Sequence, residues 1–183
     1  MTAEPFFTAL LARYTREADH LNALDAAVGD GDHGTTMLRG LTRATGAAAG
    51  ARAKAFMRAS GGASGTLFGL ILLEIEQHLD AGDSLEGGLT KACERICDLG
   101  EVGVGDKSMV DALSPAVAAL KTDGLDAAIT AARAGRDSTR DLAARRGRAQ
   151  YVENGGAGHV DPGAVSVVLL LETLQGIVVE GAA

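Results

Sequence analysis

The 183-residue sequence predicts an all-α protein, and three observations favour this class. Aromatic residues make up only 3% of the chain and Trp is absent, so the core must be built from Leu, Val, Ile and Ala, which pack well between helices. Apolar residues recur at helical spacing along the chain. No segment alternates β-branched and polar residues as a strand would. We therefore expect a single domain, residues 1–183, made of six to eight helices with short connections.

Apolar stripes at helical spacing mark the individual helices. The stripes contain Phe6, Leu10, Leu11 and Tyr14; Leu67, Leu70, Ile71 and Ile75; Leu85, Leu89, Ile96 and Leu99; Val110, Leu113, Val117 and Leu120; and Leu125 with Ile129. The most apolar stretch, residues 165–179, is interrupted by Glu172 and Gln175 and is too short to span a bilayer comfortably. It is expected to be a core helix, with no membrane contact.

Charge and cysteine content narrow the possible partners and the compartment. The net charge is −7 and the pI is near 5.0, which argues against a nucleic-acid partner because binding a phosphate backbone needs clustered Lys and Arg. Cys93 and Cys97 stand four apart without a second pair for a zinc site or a disulfide framework. The N-terminal residues lack the pattern of a secretory signal. We expect reduced thiols and a cytoplasmic protein.

The densest polar motif runs from Asp25 to Thr36 and contains the aspartates Asp25, Asp30 and Asp32. Asp30 and Asp32 point the same way in an extended turn, and the glycines between them let the backbone fold Asp25 toward both. Converging carboxylates repel one another unless a hard cation lies among them, and Mg²⁺ takes such oxygen ligands and shares them with phosphates. The spacing does not fit an EF-hand. The alternative is a solvated turn without metal.

Glycines cluster in four loops, at residues 29–34, 61–65, 100–105 and 155–163, which predicts a phosphate-accommodating mouth if the loops share one end of the bundle. Ordinary helix C-caps are the alternative. Residues 60–66 precede a helix expected to start near Leu67, whose N–H groups and positive dipole end suit an anion. The alternative is that Ser64 serves only as the helix cap, and both interpretations stay open.

Two further segments carry weaker signals. Residues 100–109 resemble a Walker A loop, but an Asp precedes the Lys and the segment follows a helix, so the P-loop interpretation is rejected. Lys107 remains a candidate for phosphate contact, for free solvation or for pairing with Asp106. Asp161 followed by Pro162 predicts a helix start, with the aspartate as N-cap and the proline at the first helical position.

Four motifs follow one another along residues 21–175. They are Leu24-Asp25 with Gly29-Asp30-Gly31-Asp32-His33-Gly34; Gly62-Ala63-Ser64-Gly65; Gly105-Asp106-Lys107-Ser108-Met109-Val110-Asp111-Ala112-Leu113; and Gly147-Arg148-Ala149 with Gly158-His159-Val160-Asp161-Pro162-Gly163-Ala164. Together they resemble the nucleotide-binding L subunit of dihydroxyacetone kinases. The resemblance implies an antiparallel up-and-down barrel of about eight helices, with the nucleotide site in loops at one end.

The resemblance also implies the ligands and the residues that hold them. The ligands are ADP or ATP and two Mg²⁺ ions, with Asp25, Asp30 and Asp32 as metal ligands. The implied nucleotide contacts are His33, Gly34, Thr35, Thr36, Ala63, Ser64, Gly100, Met109, Arg148, Asp161, Pro162 and Gly163. No catalytic base is assigned in this chain, because phosphoryl transfer depends mostly on positioning and charge neutralisation.

The implied activity is phosphoryl transfer to a small hydroxyketone held by a partner subunit, since 183 residues leave no room for the family's ketone-binding domain. One departure is Asn154-Gly155-Gly156, which stands where the family often has an acid–Arg pair. The resemblance leaves open the ketose, and whether ATP exchanges for bound ADP or a phosphotransferase-system protein rephosphorylates it in place. The alternatives are the nucleotide domain of a fatty acid kinase and a non-catalytic, ADP-sensing regulatory module.

Overall fold

The structure, a computed structural model, describes residues 2–180, and every regular element in that range is helical. The α-helices are α1 (Ala3–Ala26), α2 (His33–Thr45), α3 (Arg52–Ser60), α4 (Gly62–Ala81), α5 (Leu85–Gly100), α6 (Met109–Ser138) and α7 (Pro162–Glu180). Three 3-10 turns lie between α6 and α7, at Thr139–Asp141, Arg148–Tyr151 and Glu153–Gly156. The all-α prediction is confirmed.

Consecutive helices pack against one another in an antiparallel manner, and α7 packs back against α1. The core between them is mostly aliphatic, with one aromatic cluster in which Phe68 contacts both Tyr14 and Phe56. Helix α7 is long and apolar enough to cross a membrane by composition, yet 61% of Pro162–Val179 is buried within the fold. It is a core helix, as the sequence predicts.

Helix α6 folds back on itself at Gly124, which has φ 81° and ψ −171° and so interrupts the helix. Only glycine adopts such a conformation without strain. The two arms lie side by side, because a Cβ on Gly135 of the second arm would lie 2.0 Å from the Asp111 carbonyl oxygen of the first. The separate stripes predicted before and after residue 124 are these two arms. Both ends of α6 consequently lie at the same end of the molecule.

Helix α4 begins five residues earlier than the sequence suggests. Gly61 and Gly62 have positive φ angles of 70° and 66°, and the helix starts at Gly62 rather than near Leu67. This first turn contains two glycines, which have low helix propensity, and no large apolar side chain, so the apolar pattern does not reveal it. Ser64 therefore lies inside the first turn, and the interpretation of Ser64 as the N-cap is wrong.

Candidate functional site

A cavity of about 570 Å³ opens at the end of the molecule where α1, α3 and α5 finish and α2, α4, α6 and α7 begin. This volume lies within the range of small-molecule sites, roughly 300–1,000 Å³. Loops from all four glycine clusters meet there. The sequence-predicted residues that line it are Asp25, Asp32, His33, Thr36, Ala63, Ser64, Gly100, Met109, Arg148, Asp161, Pro162 and Gly163.

The three predicted metal ligands come together beside this cavity. Asp25, Asp30 and Asp32 each offer a carboxylate oxygen, and these oxygens all lie within 4.8 Å of one another. Asp25 is held from behind, because its Oδ2 accepts the N–H groups of Asp32 (2.9 Å) and His33 (3.2 Å). A Cβ on Gly29 would lie 2.6 Å from Asp25 Oδ1, so a larger residue there would push this carboxylate out of its present position. Such a cluster suits a divalent cation.

Arg148 supplies positive charge to the same cluster. Its Nη1 pairs with Asp30 Oδ2, and its Nη2 lies 4.0 Å from Asp32 Oδ1. Arg148 belongs to the second 3-10 turn, more than a hundred positions away in sequence. The connection between α6 and α7 thus reaches across the cavity to the α1–α2 loop.

The first turn of α2 places one side chain in the interior of the fold and another along the cavity. His33 is buried and its Nε2 lies 2.8 Å from the hydroxyl of Ser166 on α7. Burial lowers the pKa of His33 to about 4, although the nearby Asp25 carboxylate acts in the opposite direction. The imidazole is therefore neutral at physiological pH and serves to join α2 to α7. Thr36, one turn later, lines the cavity.

Gly34 and Thr35 do not line the cavity. A Cβ on Gly34 would lie 2.2 Å from the carbonyl oxygen of Ala18, so glycine here permits close packing of α2 on α1. Thr35 is tied to Asn22 of α1 through its N–H and its hydroxyl, both at 3.1 Å. These two positions fix where α2 begins.

The first turn of α4 forms one wall of the cavity and is uncapped. Its N-cap residue is Gly61, and no side chain within the described range accepts a hydrogen bond from the first N–H groups of this helix. Arg39 lies beside it, with Nε 2.8 Å from the Ala59 carbonyl oxygen and Nη2 2.6 Å from that of Ser60. Exposed N–H groups and a positive dipole end make this wall a favourable place for an anion.

Lys107 is neither solvated nor paired with Asp106, and it is among the residues that line the cavity. Its side chain is buried, and Nζ donates to the carbonyl oxygens of Thr139, at 2.6 Å, and of His159. Asp106 instead pairs with Arg145, 3.3 Å away. Burial lowers the pKa of Lys107, with Asp161 and Asp111 opposing that effect.

Asp161 caps α7, as the Asp-Pro dipeptide predicts. Its Oδ2 accepts the N–H of Ala164 at 2.7 Å, and its own N–H donates to the Thr139 hydroxyl at 2.9 Å. Burial raises the pKa of Asp161 to about 7, while the Ala164 N–H and the Lys107 ammonium act to lower it. A carboxyl group that changes charge near neutral pH therefore faces the cavity.

The apolar wall of the cavity was not identified from the sequence. Leu67, Ile96 and Val102 lie there beside the predicted Met109. Leu67 and Ile96 belong to ordinary helical stripes, so their spacing does not separate them from core residues. Tyr151 stands at the rim with 85% of its surface exposed. The cavity thus combines an apolar wall with an acidic cluster and an uncapped helix.

Comparisons with known proteins agree with this arrangement. Residues 27–176 match the DAK2 domain. The chain is 36% identical over 178 residues to the ADP-binding subunit DhaL of PEP-dependent dihydroxyacetone kinase 1 from Listeria innocua, covering 84% of each chain. It is 30% identical to the ADP-binding subunit DhaL of the PEP-dependent dihydroxyacetone kinase from Escherichia coli, covering 88% of this chain and 89% of that one.

A solved structure shares the fold. The dihydroxyacetone kinase from C. freundii in complex with AMP-PNP and Mg²⁺ matches with a TM-score of 0.74 and 25% identity. The match covers 95% of this chain but 33% of that longer chain, so the similarity concerns one part of that kinase. With the sequence matches, it leads to one conclusion. The chain belongs to the DAK2 family, alongside the DhaL subunits of dihydroxyacetone kinases.

Proposed function

We propose that this protein is the nucleotide-binding subunit of a dihydroxyacetone-type kinase. It binds ADP or ATP with Mg²⁺ in the cavity and passes a phosphoryl group to a small hydroxyketone held by a partner subunit. The observation that carries this proposal is the uncapped first turn of α4 facing a cavity that also borders three clustered aspartates. The names of the relatives from L. innocua and E. coli support ADP as the ligand.

The phosphates bind against the first turn of α4. Backbone N–H groups from Gly62 to Ser64 have no side-chain acceptor among residues 2–180, so a phosphate oxygen satisfies them and meets the positive end of the helix dipole. The hydroxyl groups of Ser64 and Thr36 line the same cavity. Arg148 also lines the cavity. When a cation neutralises the Asp30 carboxylate, the Arg148 guanidinium releases that carboxylate and donates its hydrogen bonds to the nucleotide instead.

Asp25, Asp30 and Asp32 would hold two Mg²⁺ ions. Bound there, the ions would supply positive charge that offsets the negative charge of the phosphoryl group during transfer. The chain's own contribution is to keep the three carboxylates together, which Asp25 does through its bonds to the start of α2. The C. freundii complex, whose ligands are AMP-PNP and Mg²⁺, supports this ligand class.

The apolar wall receives the base of the nucleotide. Leu67, Ile96, Val102 and Met109 offer it a surface without charge, while Gly100 and Gly163 keep the backbone close. Burying a flat aromatic base against such side chains contributes through the hydrophobic effect. Asp161 and Pro162, at the start of α7, complete this side of the site.

The partner is a ketone-binding subunit, because the cavity lining accounts for nucleotide and metal and leaves nothing to orient a small hydroxyketone. The names of the two relatives, subunits of PEP-dependent kinases, support a phosphodonor protein as a second partner, which we assign to a phosphotransferase system. We further propose a cytoplasmic location. We propose too that the helices, with the two arms of α6 counted separately, form the eight-helix barrel that the resemblance implies, which the packing of α7 against α1 supports.

The metal assignment is tested by calorimetric titration of Asp30→Asn with ADP in excess Mg²⁺. We expect most of the ADP affinity and of the ADP-dependent rise in melting temperature to disappear, because bound ligand stabilises the folded state by mass action. Chelation of wild type should lower its melting temperature. Asp19→Asn, at an exposed position on α1, is the matched control. An Asp30→Asn affinity equal to wild type would refute the metal site.

The activity is tested with purified subunits. The isolated chain should phosphorylate no dihydroxyacetone and should become active only when a ketone-binding subunit is added. Robust activity of the rigorously purified chain alone contradicts the division of labour. Nucleotide binding without activity in any such pairing favours a non-catalytic ADP sensor, and transfer to an acyl group favours the fatty acid kinase alternative.

A further inference from the structure

Lys107 joins three parts of the chain at a buried point. It lies in the α5–α6 connection with φ 62°, and its ammonium group donates to Thr139, where α6 ends, and to His159, just before α7. Residues 139–161 form the connection between these helices, so Lys107 holds the two ends of that segment. Nothing in the phosphate, metal or base contacts proposed above uses this side chain.

A lysine at this position is costly. Only 3% of its surface is exposed, and burial disfavours the charged form of an amine. No carboxylate in the described part of the chain lies within 4.0 Å of its Nζ, so two neutral carbonyl groups alone receive its hydrogen bonds. An ammonium group can donate three hydrogen bonds. A buried charge whose hydrogen bonds go only to neutral groups rarely stabilises a fold better than an apolar residue, which points to a role for Lys107 in arranging the site.

The segment that Lys107 holds carries two parts of the proposed nucleotide site. Arg148 lies inside the segment and Asp161 closes it. The other side-chain contacts between this segment and the α5–α6 loop are made by exposed arginine side chains, as in the pair of Arg146 with Glu101 at 2.9 Å. Exposed ion pairs contribute little, roughly 0–1 kcal/mol each. The buried ammonium is therefore the strongest side-chain link between this segment and the α5–α6 loop.

We propose that Lys107 is a positioning residue, whose ammonium group holds residues 139–161 so that Arg148 and Asp161 face the nucleotide. This inference rests on the proposed function for the identity of the ligand, and on the structure alone for the clamp itself. Because ordering a loop before binding removes an entropic cost from the binding step, the clamp raises nucleotide affinity without touching the metal ligands.

Lys107→Met tests the clamp, because Met keeps an unbranched side chain of similar length but donates no hydrogen bond. Lys54→Met, at an exposed position on α3, is the matched control. In Lys107→Met we expect faster hydrogen exchange across residues 139–161 and Mg-ADP binding weaker by roughly tenfold to a hundredfold, the loss of hydrogen bonds to a charged donor. Binding of Mn²⁺ alone should stay at the wild-type level, which a general loss of structure would not allow.

The control defines the contrary result. If exchange across residues 139–161 and Mg-ADP affinity in Lys107→Met equal those of Lys54→Met, the proposal is wrong. Lys107→Arg, which keeps charge and donors, should recover part of the affinity, and an arginine variant as weak as the methionine variant would also contradict it. If wild type itself fails to bind Mg-ADP, the proposed function fails, while the exchange measurement still judges the clamp.

A measurement on unmodified protein covers the case in which Lys107→Met does not fold. Brief labelling of wild type with an amine-reactive reagent, followed by peptide mass spectrometry, compares Lys107 with the exposed Lys54 and Lys121. We expect Lys107 to be labelled at least about tenfold more slowly, because its ammonium is buried and hydrogen-bonded. Labelling at the rate of the exposed lysines overturns the proposal.

Discussion

The helix N-termini at the two ends of the molecule differ in how side chains cap them. At the end away from the cavity, side chains accept hydrogen bonds from the starts of α1, α3 and α5: Asp80 from Ala3 of α1, Glu76 from the first residues of α3, and Ser84 from the first turn of α5. At the cavity end α2, α6 and α7 are similarly satisfied, by Asp25, by the Ser108–Asp111 capping box and by Asp161. In the described range only α4 is left without such an acceptor.

Because of this difference, capped helix starts contribute to folding stability, and the uncapped start of α4 contributes to anion binding. A cap satisfies N–H groups within the protein and typically contributes about 1 kcal/mol to folding. An uncapped start gives up that contribution, and in a polar cavity the same N–H groups are then free to bind an anion. Substitutions at the start of α4 should therefore change nucleotide affinity, and substitutions of capping residues at the other end should change only the free energy of unfolding.

The largest effect should come from Ser64→Asp in the first turn of α4. Aspartate there suits the helix dipole, so we expect a folded protein of near-normal stability. A carboxylate against nucleotide phosphates repels them, and we expect Mg-ADP affinity to fall by about 2–4 kcal/mol, measured by calorimetric titration. The matched change at the other end, Ser84→Asp, replaces one good N-cap by another and should alter neither stability nor affinity. Equal ADP affinity in both variants would reduce the residue 61–65 loop to a structural element.

Glu76→Gln should lower the stability of the protein and leave its nucleotide affinity unchanged. The buried Glu76 carboxylate accepts from the N–H groups of Arg52 and Ala53, both at 3.0 Å, and a glutamine replaces one of these acceptors with a donor. We expect a loss of about 1–3 kcal/mol in the free energy of unfolding, with Mg-ADP affinity unchanged. Denaturant unfolding and calorimetry on the same preparation check this. A large fall in affinity would show that the two ends are energetically coupled.

Gly124→Ala tests the turn of α6 at the end away from the cavity. Alanine at φ 81° is strained, so we expect the free energy of unfolding to fall by about 1 kcal/mol or somewhat more. Gly176→Ala, in α7 where a Cβ would meet nothing within 4 Å, is the control and should be neutral or slightly stabilising. A stabilised Gly124→Ala protein would mean that α6 does not turn there in solution.

The last prediction concerns pH and Asp161. Its folded pKa is raised to about 7 from an ordinary value of 3.8, so its contribution to stability is full below pH 3.8 and is lost as pH rises through 7. The loss is on the order of 1 kcal/mol for each unit of the pKa difference. Asp161→Asn removes the titrating group and should flatten the fall in unfolding free energy between pH 4 and 7. Parallel pH profiles for variant and wild type would contradict the raised pKa.

Much of this arrangement is predictable because it depends on local chemistry. The aspartate spacing in residues 25–32 predicts convergence, and Asp161-Pro162 predicts the cap of α7, because each requires only a few neighbouring residues. The start of α4 was misjudged because its first turn is made of small residues that carry no apolar signal. The sequence alone cannot show that a turn lacks a cap, since a distant side chain can supply one, as Glu76 does for α3.

Long-range contacts explain what the sequence did not reveal. The sequence leaves the role of Lys107 open, and only the meeting of residues 139 and 159 around it makes it a buried group. Arg39 lies on the polar side of α2, and nothing in its neighbours indicates that it meets the end of α3. The same holds for Leu67 and Ile96, whose stripes predict burial but not what they are buried against.

The packing of α7 against α1 determines where the chain could be rejoined and where it could be opened. Ala3, at the start of α1, bonds to Asp80, and Val178, near the end of α7, lies beside residues 78–82, so both helix ends lie at the pole farthest from the cavity. The α2–α3 connection, residues 46–51, lies at that pole too. A circular permutant that joins α7 to α1 through a flexible linker and opens the chain at Gly50 should therefore keep the cavity, and a domain fused at either helix end should leave its mouth clear.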